Sequence, residues 1–150
     1  MKNILNEADD AEITYRIQNL SETNSRLWGN MNMQQMLLHC TTQLKLALGE
    51  ISHKQQGPRL MRSKLGKWLL FSTIPWPKGA ETPTEMNAEM ASFSLTDIEN
   101  EKRELLDYLE KVRQQAHLKA HPFFGELNRK EWARLVYKHL DHHLRQFGSR

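Results

Sequence analysis

Two histidines, His139 and His143, stand four residues apart in the stretch Trp132 … His139-Leu-Asp-His-His143-Leu-Arg-Gln-Phe147. A helix turns about 100° per residue, so positions i and i+4 lie one above the other on the same face. Two imidazoles so placed can hold one divalent metal from a rigid platform. With Trp132 at zero, Leu135, Val136, Leu140 and Phe147 point to roughly 300°, 40°, 80° and 60°. His139 falls at about 340° and His143 at about 20°, inside that apolar stripe, and His142 at about 280°, on its flank. The pair at 139 and 143 therefore faces the core, where an unpaired imidazole is costly. A single His on an apolar face is commonly a hydrogen-bonded core residue, and two at this spacing set a ligand pair beside that reading as an alternative. A metal site needs a third protein ligand, which one helix cannot supply locally.

His39, His117 and His121 are the candidates for it. His39 sits on an earlier helix, at about 240° from Met33, in line with Gln35, Gln43 and Leu46 rather than with the main apolar stripe. Periodicity places it on a flank or at the surface. His117 and His121 lie near the end of the third long helix and in the loop after it. His53 lies in a polar connection and reads as solvated. Cys40 falls in the apolar stripe, where a free thiol behaves as a small hydrophobe.

The elements that must position these residues are helices. Four starts carry a capping residue with Glu or Gln three positions later: Asp9…Glu12, Asn32…Gln35, Thr96…Glu99 and Asn128…Glu131. Apolar residues at helical spacing follow each one. The first helix carries Ile13, Ile17 and Leu20, and the second carries Met33, Met36, Leu37, Cys40, Leu44, Ala47 and Leu48, with Gly49 as its stop. The third carries Ile98, Leu105, Leu106, Leu109 and Val112, and the fourth ends at Gly148. Period-two runs of β-branched and aromatic residues are absent. The fold class is all-α, an antiparallel four-helix bundle in one domain over residues 1–150.

The connection between the second and third helices is long, about residues 50–95. It holds a basic amphipathic segment, Arg59 to Phe71, and then Ile74-Pro-Trp-Pro-Lys-Gly79 and Thr82-Pro-Thr84, which read as irregular. A loop of this length in a compact domain is usually functional or packed over a site. Arg59, Arg62, Lys64 and Lys67 alternate with Leu60, Met61, Leu65, Trp68 and Leu69. The expected arrangement is a bundle-covering helix with its basic side in water, and the alternative is contact with an anionic surface.

Composition bounds the rest. A chain of 150 residues with net charge +3 can bury a real core and is only mildly basic. A nucleic-acid partner is not expected, because no basic face is interleaved with stacking aromatics. One cysteine permits no internal disulfide and fits a reducing compartment. The first ten residues carry acids where a secretion leader needs an apolar run, and Trp68-Leu-Leu-Phe71 is too short to span a bilayer. The expected location is the cytoplasm, with no membrane span.

Trp28-Gly-Asn-Met31 … Gln35-Met-Leu-Leu-His39, the loop Pro75-Trp-Pro-Lys-Gly79 … Pro83, and His121-Pro-Phe-Phe-Gly125 … Glu131-Trp132 … His139-Leu-Asp-His-His143-Leu together carry a resemblance. Over most of its length, from about residue 12 onward, the chain resembles the DinB/YfiT-like metalloenzyme superfamily. The resemblance implies a four-helix bundle with a divalent metal held by three histidines, one from the second helix and two from the last. Carried over, the ligands are His39, His139 and His143. Three His ligands leave a coordination position open, as in catalytic zinc sites. Characterised relatives include transferases and isomerases that use low-molecular-weight thiols, and hydrolase candidates. The implied function is a divalent-metal-dependent enzyme acting on a small-molecule substrate, as hydrolase or thiol-dependent transferase, and a homodimer.

No residue is identifiable as a catalytic acid or base, and imidazole ligands suit zinc, nickel, iron and copper alike. Gln35, His142 and Gln146 are candidates to orient a ligand or to lie at the surface. Trp76, His121 and Phe123 are candidates for the site wall. The competing expectation is a non-catalytic helical protein that works through an interface, its His cluster structural or vestigial.

Overall fold

The computed structural model describes residues 1–72, 74, 76–78 and 97–150. Among them the order is α1 (Glu7–Gln18), α2 (Met33–Leu48), a 3-10 turn (Arg59–Arg62), α3 (Lys64–Leu70), α4 (Ile98–Gln114) and α5 (Arg129–Gln146). The described residues contain five α-helices and no strand; the one extended pairing is an isolated bridge between His121 and Gly125. None of these helices is long and apolar enough to cross a membrane.

The caps explain where the helices begin. Asn32 and Asn128 each accept from the third helical amide, while Gln35 and Glu131 reach back to the cap's own N–H. These reciprocal pairs satisfy amide donors that a helix start leaves without internal partners. Two starts differ from the sequence expectation. α1 begins earlier, because Asn6 accepts from the Asp9 amide and Asp9 in turn accepts from the Asn3 amide. α4 is capped by Asp97, whose side chain accepts from the Glu99 amide. Thr96, expected in that role, lies outside the described residues, as do Pro75, Gly79 and the Thr82-Pro-Thr84 turn.

α1 packs against α4 and α5, and α2 packs against the same two helices. Ile13, Ile17, Leu20, Met36, Leu37, Leu44, Leu105, Leu109, Trp132, Leu135, Val136 and Leu140 form one continuous core. Ten of the sixteen residues of α2 are buried, so this helix is enclosed on more than one side. That enclosure is why the flank carrying His39, Gln43 and Leu46 turns inward. Arg16 is buried, with its guanidinium on the Asp141 carboxylate at 2.8 Å and on the Ser149 carbonyl at 2.8 Å. These bonds fix α1 against the C-terminal end of α5, next to the helical turn that carries His143.

The basic segment departs from expectation. It forms a 3-10 turn and the seven-residue α3, and its apolar side chains Leu60, Leu65, Trp68 and Leu69 are exposed rather than laid on the core.

Trp132 is fully buried and its indole N–H donates to the Lys119 carbonyl at 3.0 Å. Trp132→Ala removes a large core side chain and is expected to cost about 3–5 kcal/mol. Asn128→Ala removes one cap and is expected to cost about 1 kcal/mol. Urea denaturation of the two variants beside wild type checks the ranking, and equal losses would contradict this account of α5.

Candidate metal centre

α5 carries His139 and His143 on successive turns of its buried stripe, and α2 brings His39 against them. All three are buried, with 3–8% of their surface exposed. Their ring centroids lie 4.6–4.8 Å apart. One nitrogen from each ring falls within 4.8 Å of the other two, a spacing compatible with a single ion. His39 Nε2 and His139 Nε2 are 2.9 Å apart. Two nitrogens bound to one tetrahedral zinc at about 2.0–2.1 Å stand about 3.3 Å apart, so an ion needs only a small opening of this pair.

The side chain of Gln146 fixes the tautomer of His143. Its amide N–H donates to the Trp28 carbonyl at 2.8 Å, which turns Oε1 toward His143 Nδ1 at 2.9 Å. An amide oxygen only accepts, so Nδ1 of His143 carries the proton and Nε2 keeps its lone pair. Metal-bound histidines commonly donate their second N–H in this way. Gly29 makes the contact possible. Its φ is +76°, and a Cβ there would lie 2.4 Å from the Gln146 amide nitrogen. Any other residue would both strain the backbone and push Gln146 away.

Burial keeps His139 and His143 neutral. It lowers His139 well below the ordinary histidine value and His143 to about 3, and the neighbouring imidazoles act in the same direction. Neutral imidazole is the form that ligates a metal. His139 Nδ1 is buried with no hydrogen-bond partner among the described residues. An unpaired buried nitrogen is costly, and an ion at the facing Nε2 atoms would leave that cost in place. The three-His donor set, with His139 and His143 neutral, fits a divalent ion.

The other expected residues divide into two groups. Trp76 stands 6.0 Å from His139 and 6.1 Å from His142, and Trp28 stands 5.9 Å from His142. Half-buried His142 thus lies between two indoles beside the cluster, and burial lowers its pKa as well. Gln146, Trp76 and His142 are brought to the site. Gln35 is not, because its side chain serves the α2 capping box. His121 and Phe123 are also elsewhere. His121 packs on Phe124 at 4.7 Å and on Trp132 at 5.5 Å, two helical turns along α5 from His139.

The His121-Pro-Phe-Phe-Gly125 motif is instead a structural clasp. His121 and Gly125 exchange two backbone hydrogen bonds, Pro122 accepts from the Gln56 amide, and His121 Nδ1 accepts from the Phe123 amide at 3.1 Å. Asp141 is engaged by Arg16 and Arg145. Cys40 is buried and its thiol is pushed far up by desolvation, in keeping with a small core residue. His117 is exposed, and His53 is half-buried rather than solvated.

Sequence reasoning did not single out Trp28 as a wall residue or Gly29 as the opening for Gln146. A Trp-Gly pair after a helix gave the only signal.

The chain belongs to the family described as "Protein of unknown function (DUF1569)", which matches it over residues 2–150. No curated protein and no solved structure matches it.

His121 gives a pH test that is independent of any metal ligand. Burial lowers it from 6.5 to about 3. Between those values the unfolded chain takes up a proton that the fold refuses, so stability is complete above about pH 6.5 and falls as pH drops. Metal-free protein denatured with urea at pH 7 and at pH 5 is expected to lose about 2 kcal/mol from this residue alone. The loss should be smaller by that amount in His121→Gln, and a flat wild-type profile would contradict a neutral buried ring.

Proposed function

We propose that His39, His139 and His143 hold one divalent cation and that the protein is a metal-dependent enzyme acting on a small molecule. The observation that carries this reading is the convergence of three buried imidazoles from two helices, one of them oriented by Gln146. Three protein ligands leave room for a further ligand, which distinguishes a working site from a closed structural one. A bound cation supplies Lewis acidity to an incoming water or thiol. The chain's own contribution is to fix the His143 tautomer through Gln146 and to hold His139 and His143 unprotonated. Trp28, Trp76 and His142 limit access by water.

The resemblance to the DinB/YfiT-like superfamily supports either hydrolase or thiol-dependent transferase chemistry. It also brings the four long helices into the proposal as an antiparallel bundle, with a homodimer. A reducing cytoplasm suits the lone thiol of Cys40. Zinc, nickel and iron all suit the donor set.

A second reading rests on the 2.9 Å separation of His39 Nε2 and His139 Nε2, which is hydrogen-bond distance without any ion. In that case the cluster is structural and the protein works through an interface.

Elemental analysis of protein purified without a His tag separates the two. About one equivalent of metal is expected in wild type and none in His139→Ala or His39→Ala, with the helical circular-dichroism signal kept. Gln146→Leu should retain the site and weaken metal affinity by about 10- to 100-fold. Wild type that stays metal-free after reconstitution with zinc and nickel would overturn the enzyme reading. If metal is present, thiol adducts and esters are the substrates to screen, and turnover should disappear in His143→Ala.

A further inference from the structure

Of the eight large hydrophobic residues exposed in the described structure, five fall between positions 60 and 74: Leu60, Leu65, Trp68, Leu69 and Ile74. Trp68 is 64% exposed and Ile74 59%. Single exposed apolar residues are ordinary, whereas a run of this kind marks an interaction surface. On α3, Leu65, Trp68 and Leu69 occupy positions i, i+3 and i+4 and so form one outward stripe. The opposite face holds the buried Gly66 and Leu70. A Cβ on Gly66 would lie 2.2 Å from the Leu60 carbonyl oxygen, so the glycine lets α3 sit directly on the 3-10 turn. Leu60 is thereby held close to the stripe.

Along this segment of the sequence the charge has one sign. From residue 51 to residue 80 the sequence contains six lysines and arginines and no acid. Arg59 and Lys64 are exposed beside the stripe. Lys67 is held by the Glu126 carbonyl and by Glu131. Exposed Trp and Leu flanked by Lys and Arg are the composition of a helix that lies in a membrane interface. A second copy of the chain would bring like charges face to face, which argues against self-association here.

We infer that the face formed by Leu60, Leu65, Trp68 and Leu69, with Arg59 and Lys64, docks on an anionic lipid bilayer surface. The apolar stripe enters the headgroup boundary while the two cations meet lipid phosphates and carboxylates. The docking surface is tied to the helix of the three-His cluster, because Lys138 donates to the Leu70 and Ser72 carbonyls at 2.8 and 2.9 Å. Lys138 immediately precedes His139, so docking holds the cluster close to the bilayer. The inference does not depend on a bound metal.

The test is co-sedimentation of the full chain with vesicles of phosphatidylcholine, with and without phosphatidylserine. Binding is expected only to the phosphatidylserine vesicles, and it should weaken as salt is raised. Arg59→Gln and Lys64→Gln should each weaken it by about fivefold. A Leu65→Ser/Trp68→Ser/Leu69→Ser variant should lose it while keeping the cooperative urea transition of the core, because about half or more of each residue is exposed and none belongs to the buried core cluster. Absence of binding at low salt would overturn the proposal, and so would binding that survives the triple substitution. Patch-dependent binding to an oligonucleotide without vesicle binding would assign the face to nucleic acid. Patch-dependent dimerisation in sedimentation velocity without vesicle binding would assign it to a second copy. Either result would also overturn the proposal.

Discussion

The structure turns on the burial of three imidazoles between α2 and α5. Imidazole is polar, and removing it from water unprotonated and incompletely bonded is unfavourable unless something returns the lost interactions. Hydrogen bonds return part of it. His143 donates to Gln146, and His39 and His139 meet at their Nε2 atoms. His139 Nδ1 has no such partner among the described residues. A helix pair that needed only to pack could use leucine at these positions. Three buried rings in contact are a donor set that could hold a cation.

The surrounding elements serve that contact. Capping boxes at Asn32 and Asn128 define where α2 and α5 begin, and so which residues meet across the interface. Arg16 ties α1 to the end of α5, and the His121–Gly125 clasp ties the chain before α5 to the connection after α2. The link between α1 and α2 delivers the Trp28 carbonyl to Gln146 through the space left at Gly29. A residue remote in sequence thereby sets the protonation of a ring inside the cluster.

Much of this was legible in the sequence, and the misses have physical causes. The i,i+4 spacing of His139 and His143 inside an apolar stripe correctly placed both in the core, because a helix has one period and α5 follows it. His39 was misplaced by the same reasoning. A wheel assumes one buried face, whereas α2 is enclosed by two neighbours, and only tertiary packing turns its flank inward. Gln35 and Gln146 looked equivalent in sequence, but Gln35 is consumed by a cap and Gln146 reaches a carbonyl more than a hundred positions away. His121 and Phe123 looked like site wall because they sit in a loop that could converge on the site mouth, yet that loop closes on itself at the other end of α5. The basic segment was expected to lay its apolar side on the core. Gly66 seats α3 on the 3-10 turn instead, which leaves the larger side chains outside.

The most direct measurement of the central claim is anomalous diffraction at the zinc edge from crystals of protein loaded with one equivalent of zinc. The account predicts a single strong peak bounded by His39, His139 and His143, with a further non-protein ligand on the ion. A peak elsewhere, or His39 and His139 still in direct hydrogen-bond contact with no peak between them, would contradict it.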